Sequence, residues 1–134
     1  MTLPEGYRPT VRQPPFWELT GPFYEKECDG SRHIGVRVEE RHCNVRGTAH
    51  GGLIATLADI ALGYNIACAT GWELPIATVN LSIDYAGAAQ VGDWLEARVD
   101  IQRIGRSLIF ANAFIYVDDR RIARASAVFT VTAR

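Results

Sequence analysis

The chain has 134 residues, 48% of them apolar and 22% charged, with a formal net charge of −1, the make-up of one globular domain able to bury a core without disulfides or metal. The near-neutral balance argues against nucleic acid as the main partner. Cys28, Cys43 and Cys68 are odd in number and lack CxxC spacing, so no disulfide framework or zinc site follows from them, and with no basic-then-apolar leader a cytoplasmic setting is expected.

Residues 1–22 hold five of the six prolines, Pro4, Pro9, Pro14, Pro15 and Pro22. Proline cannot sustain a regular ladder, which predicts an extended arm with a short turn at Phe16–Leu19. Residues 23–134 then read as a single domain. Phe23–Glu27 is a weak strand. His33–Arg41 alternates better, with Ile34, Val36 and Val38 on one face and His33, Arg37, Glu39 and Arg41 on the other.

Gly47–Gly52 reads as a turn, followed by a helix from about Gly51 to Ala69 that Gly71 closes. The helix is apolar apart from Thr56, Asp59, Tyr64 and Asn65 and is nearly long enough to cross a bilayer. An ionisable residue near its middle, and amphipathic strands elsewhere, make it a buried central helix rather than a membrane span.

Ile76–Tyr85 is the cleanest strand. Its alternation predicts Ala77, Val79, Leu81, Ile83 and Tyr85 on one face and Thr78, Asn80, Ser82 and Asp84 on the other. After a loop over Gly87–Asp93, three further strands are expected at Trp94–Arg103, Ser107–Val117 and Ile122–Thr132, with turns at 104–106 and 118–120. Strands, one long apolar helix and four more strands give an α+β chain whose antiparallel sheet curls around the helix.

The chemistry-bearing stretch runs from Asn44 through Gly47, His50, Gly51 and Gly52 to Asp59. N–H groups in the first turn of a helix lack intrahelical partners and carry the positive end of its dipole, so they suit a polarised carbonyl. Asp59 falls mid-helix among apolar residues, where a carboxylate needs a partner or a cavity. It is either an Asp bonded to a neighbouring strand or a general base or nucleophile. Eight residues of helix put Asp59 about 12 Å from Gly51, so both can act on one carbon only if a second subunit supplies one of them. Gly52, Ala55, Thr56, Asp59 and Gly63 form a small-residue stripe that would let another backbone approach.

The pattern His50-Gly51-Gly52, then Asp59 after six residues, with Thr78 to Tyr85, Gly92-Asp93 and Arg103 to Ser107, resembles the PaaI-like (phenylacetate-degradation-type) hotdog acyl-CoA thioesterases. The likeness covers about residues 40–132. It implies a hotdog fold and a homodimer joined side by side through its sheets, with a tetramer built as a dimer of dimers; no cofactor or metal is expected. It also implies that the Gly51 N–H and Asn44 polarise the thioester carbonyl, that Asp59 of the partner subunit activates water or attacks, and that Thr78 orients the water. His50 would lie near the thioester or simply hold its loop. Gly52, Arg103, Arg106 and Ser107 would meet coenzyme A, the arginines at its phosphates. Tyr64 and Trp72 are candidates for an acyl pocket or for ordinary core packing.

Two other functions fit the same architecture: a hotdog protein that binds acyl-CoA without hydrolysing it, and an acyl-CoA hydratase or dehydratase. A pure binder gains nothing from a mid-helix acid. A hydratase needs a histidine and a carboxylate at one carbon–carbon bond, and His50 beside the glycines fits that less well.

Overall fold

The computed structural model describes residues 2–132. In chain order the elements are β1 (Arg8–Pro9), α1 (Pro15–Thr20), β2 (Tyr24–Cys28), β3 (Ser31–Arg37), α2 (Gly51–Ala69), β4 (Ile76–Tyr85), β5 (Trp94–Ile104), β6 (Leu108–Val117) and β7 (Arg120–Val131). The strands make one antiparallel sheet of order β1-β2-β3-β5-β6-β7-β4. Tight hairpins order β5, β6 and β7 as neighbours. The strand that leaves the helix, β4, returns to pair with β7 and forms one open edge of the sheet.

Helix α2 lies in the concave side. Leu57, Ala58, Ala61, Leu62 and Ile66 are fully buried in the core, together with Ile34, Val36, Leu95, Ile109 and Ile115 from the strands. The central rows of the sheet put Ala111 opposite Ala127 and Ala113 opposite Ala125, all buried, and such small side chains let the sheet wrap closely around the helix. By length and composition α2 is apolar enough to cross a membrane, but its apolar surface is taken up by its own sheet. At its C-terminus the Trp72 N–H bonds the Ala67 carbonyl over Gly71, whose φ of 76° needs glycine. A long helix within a curled antiparallel sheet is the expected hotdog architecture.

Three local expectations change. The proline-rich arm is not simply extended. Pro15 opens the six-residue helix α1, a position where its missing N–H costs nothing, and Arg8–Pro9 adds a short edge strand to β2. The strand expected to reach Arg41 stops at Arg37. The Glu39 side chain accepts from the His42 N–H, and the His42 ring accepts from the Glu39 N–H, closing a single 3-10 turn. The third change concerns β4. Its ladder pairs Thr78 with Phe129 but Asn80 with Val128, so Val79 is an extra residue in a bulge. Opposed residues share a face, and Phe129 is a core residue. Thr78 therefore faces the helix with Leu81 and Ile83, and not outward with Asn80 and Ser82.

Candidate functional site

Residues 42–50 form a small hairpin in front of α2. The His50 N–H bonds the His42 carbonyl at 2.8 Å and the Asn44 N–H bonds the Thr48 carbonyl at 2.8 Å, with Gly47 at the tip in a left-handed conformation (φ 78°). His50 is the N-cap of α2. Its Nδ1 accepts from the Gly52 N–H at 2.8 Å, which in the neutral ring leaves the proton on Nε2. The Leu53 N–H goes to the His50 carbonyl at 2.9 Å. Among the described residues the Gly51 N–H alone in this first turn has no partner, and it sits at the positive end of a 19-residue helix. A Cβ on Gly52 would come within 3.0 Å of His50 Nδ1, so the glycine is what lets the imidazole fold over the turn. Gly52, expected to meet coenzyme A, has its N–H bonded to that imidazole.

Asn44 is fixed by its own loop. Its Oδ1 accepts from the Arg46 N–H at 2.9 Å and from the Thr48 N–H and hydroxyl, each at 3.2 Å. With the oxygen end saturated, the capacity left to the amide is Nδ2, a pure donor.

Asp59 is half-buried on the least buried stripe of α2, with Ala55, Thr56 and Gly63. The Thr78 hydroxyl donates to its Oδ1 at 2.8 Å, a contact that the bulge at Val79 makes possible. One carboxylate oxygen is held and the other is open. The proton of Thr78 is committed to Asp59, so the residue orients the carboxylate itself. Tyr85, at the far end of β4, donates to the Gly51 carbonyl at 2.9 Å. The two ends of one strand thus grip the two candidate points of α2: Thr78 holds Asp59, and Tyr85 holds Gly51. These points remain about 12 Å apart along a continuous helix.

Arg103, Arg106 and Ser107 are exposed in the β5–β6 hairpin, where the Ser107 carbonyl receives the Val131 N–H at 2.9 Å. Thr78, Phe129, Ile109 and Ile104 lie in one row across β4, β7, β6 and β5. The hairpin is therefore at the Asp59 end of the sheet, roughly three strand spacings of about 4.8 Å from Thr78. Tyr64 and Trp72 pack in the structure, with ring centroids 5.0 Å apart. The Tyr64 hydroxyl donates to buried Glu25, and Trp72 lies under the Arg12 guanidinium at 4.6 Å. They tie the arm to the C-terminal half of α2. Burial pushes the Cys68 thiol up, away from thiolate chemistry. Among the described residues no cluster of three His, Cys, Asp or Glu is placed to hold a metal.

Sequence reasoning missed Tyr85, although an aromatic hydroxyl ending the inward face of a strand is a readable signal. For His50 it gave two readings, near the thioester or holding its loop, and the bond that it accepts from the Gly52 N–H shows how it holds the loop.

Residues 46–133 match the thioesterase superfamily model. The chain is 43% identical over 131 residues to a Pseudomonas aeruginosa protein named "Putative esterase PA0474", covering 96% of this chain and 97% of that one. Over 77 residues it is 36% identical to mouse acyl-coenzyme A thioesterase 13, 58% of this chain and 54% of the relative. Its fold superposes on a mutant of the phenylacetic acid degradation protein PaaI from Thermus thermophilus with a TM-score of 0.76 at 24% identity, covering 88% and 99% of the two chains.

Proposed function

Since this chain belongs to the thioesterase superfamily and is a thioester hydrolase, we propose that it hydrolyses acyl-CoA to a free acid and coenzyme A at sites shared by two subunits. The observation that carries the reading is the pair of grips on β4, an open sheet edge with Asp59 at one end and the unpartnered Gly51 N–H at the other. An unpaired edge is a template for another strand. If two copies of β4 pair antiparallel about Leu81–Ser82, Thr78 of one subunit lies opposite Tyr85 of the other. Asp59 then approaches Gly51 of the partner subunit, at both ends of a two-fold interface.

In that arrangement the thioester carbonyl accepts from the Gly51 N–H and Asn44 Nδ2, donors fixed before the substrate arrives and aimed where negative charge develops. The free oxygen of Asp59 either removes a proton from the attacking water or attacks the carbonyl itself, giving a mixed anhydride that water then hydrolyses to the free acid. The carbon–sulfur bond breaks and the coenzyme A thiolate leaves. The arginine hairpin stands on the Asp59 side, where Arg103 and Arg106 meet the cofactor-like tail of the substrate at its phosphates.

The test is incubation of the pure protein with a panel of acyl-CoAs and a thiol-reactive dye. Release of thiol is expected, and Asp59→Asn lowers kcat at least a hundredfold, on the order of 3 kcal/mol. Hydration without thiol release, binding without turnover, or a folded Asp59→Asn protein of near-normal rate overturns the reading.

A further inference from the structure

A groove of about 220 Å³ runs from the first turn of α2 toward α1, lined by Leu19, His50, Gly52, Leu53 and Thr56 over a floor made by Arg41 and His42. We infer that it receives the hydrocarbon part of the acyl group, and that Leu19 sets which chain lengths fit. The inference rests on the acyl-CoA reading above.

Most of the polar groups around the groove are committed elsewhere, the Nε2 side of His50 being the exception. Arg41 donates to the Leu19 carbonyl at 2.7 Å, to the Gly21 carbonyl and to Glu39 at 3.2 Å. His42 bonds the Thr20 carbonyl at 2.7 Å through Nε2 and takes the Glu39 N–H at 2.9 Å on Nδ1. The Thr56 hydroxyl turns back to the Gly52 carbonyl at 2.8 Å, so its methyl is the part left to the groove. What remains is mainly apolar, from Leu19, Leu53 and the Thr56 methyl beside the edge of the His50 ring, and such a lining favours an uncharged, largely apolar occupant.

Position and size narrow the occupant further. His50 and Gly52 belong both to the groove and to the turn that carries the Gly51 N–H. A carbonyl held by that N–H lies beside the groove, within reach for its alkyl substituent to enter it. The volume is below the roughly 300–1,000 Å³ of drug-sized sites, which suits a short or medium chain. The wall is also rigid. Arg41 and His42 staple the end of α1, and Trp17 packs against Phe23 and Tyr64 with centroids 6.4 and 5.9 Å away. Leu19 is nonetheless 71% exposed, a large apolar side chain held open beside the catalytic turn, and its replacement disturbs no core contact.

Leu19→Trp and Leu19→Ala are compared with the parent chain on acetyl-, butyryl-, hexanoyl-, octanoyl- and dodecanoyl-CoA. Leu19→Trp is expected to lower the kcat/KM ratio of octanoyl- to acetyl-CoA at least tenfold, chiefly through KM. Leu19→Ala moves the optimum toward longer chains. Superimposable chain-length profiles for all three proteins overturn the inference. Calorimetric titration with S-octyl coenzyme A, a thioether that is not hydrolysed, decides the groove independently of turnover. Saturable binding that weakens at least tenfold in Leu19→Trp supports it, and equal or absent binding in both proteins overturns it. A parent chain that releases no thiol from any of the esters sinks the acyl-CoA reading instead, and the titration still tests the groove.

Discussion

Thr78 reaches Asp59 because one extra residue, Val79, stands outside the β4 ladder. Strict alternation put Thr78 on the outer face with Asn80 and Ser82, and nothing in the residue types marks the bulge; it is a property of the pairing with β7. Asp59 was legible for the opposite reason, as a lone charge whose oddity survives any choice of register. Gly51 and Asn44 were legible as types, a helix start and a turn residue. What the sequence did not contain was which N–H stays free and which way the amide points, since the first is settled by the Gly52 N–H donating to His50 and the second by Thr48 donating to Asn44. If Thr78 acts by holding the carboxylate, Thr78→Ser keeps kcat within a few-fold. Thr78→Val, which removes the hydroxyl and keeps the shape, lowers kcat about tenfold or more, the weight of one hydrogen bond to a charged group. Equal rates for Val and Ser in single-turnover measurements would reduce Thr78 to packing.

At the level of elements, α2 and the last three strands follow from apolar periodicity, while the N-terminal elements do not. β2 looked weak because Glu25 occupies an inward position, and the structure explains why that is tolerated. Glu25 is 1% exposed yet takes the Tyr64 hydroxyl, the Val11 N–H and Arg32 Nε, with Val11 and Tyr64 lying 14 and 39 residues away in sequence, partners that local pattern does not reveal. The arm is tied a second time through Glu96 on β5. Burial alone would raise its carboxyl, but His33, Tyr7 at 2.6 Å and Arg98 at 2.8 Å outweigh it and hold the group at about 2. A carboxylate whose folded value is depressed stabilises the fold above its unfolded value of about 4.3, and that stability is lost as pH falls toward the folded value. Glu96→Gln should therefore melt below the parent chain at neutral pH, and the difference in Tm should close between about pH 4.3 and about pH 2. A difference that stays constant across that range would mean that the contacts of Glu96 do not depend on its charge.

On the shared-site reading proposed above, one chain taken alone is an incomplete device. The carbonyl donors and the carboxylate stand about 12 Å apart on a rigid helix, and no motion of either side chain closes that distance, because Gly51 contributes backbone and Asp59 is held by Thr78. The edge strand that bears both grips is ten residues long, with Val79 and Tyr85 exposed upon it, a surface that pairing with another chain would cover. Subunit mixing tests the shared site directly. Asn44→Ala and Asp59→Asn proteins, each nearly inactive, are unfolded together and refolded. In a mixed dimer one site collects both lesions and the other collects neither. Random pairing makes about half the dimers mixed, so roughly a quarter of the parent activity returns if a two-fold dimer is the catalytic unit. Proteins refolded separately stay inactive. Should mass spectrometry confirm mixed dimers while activity stays at the level of the single variants, Asn44 and Asp59 serve one site within one chain, and β4 pairing would have to be replaced by a rearrangement of α2 itself.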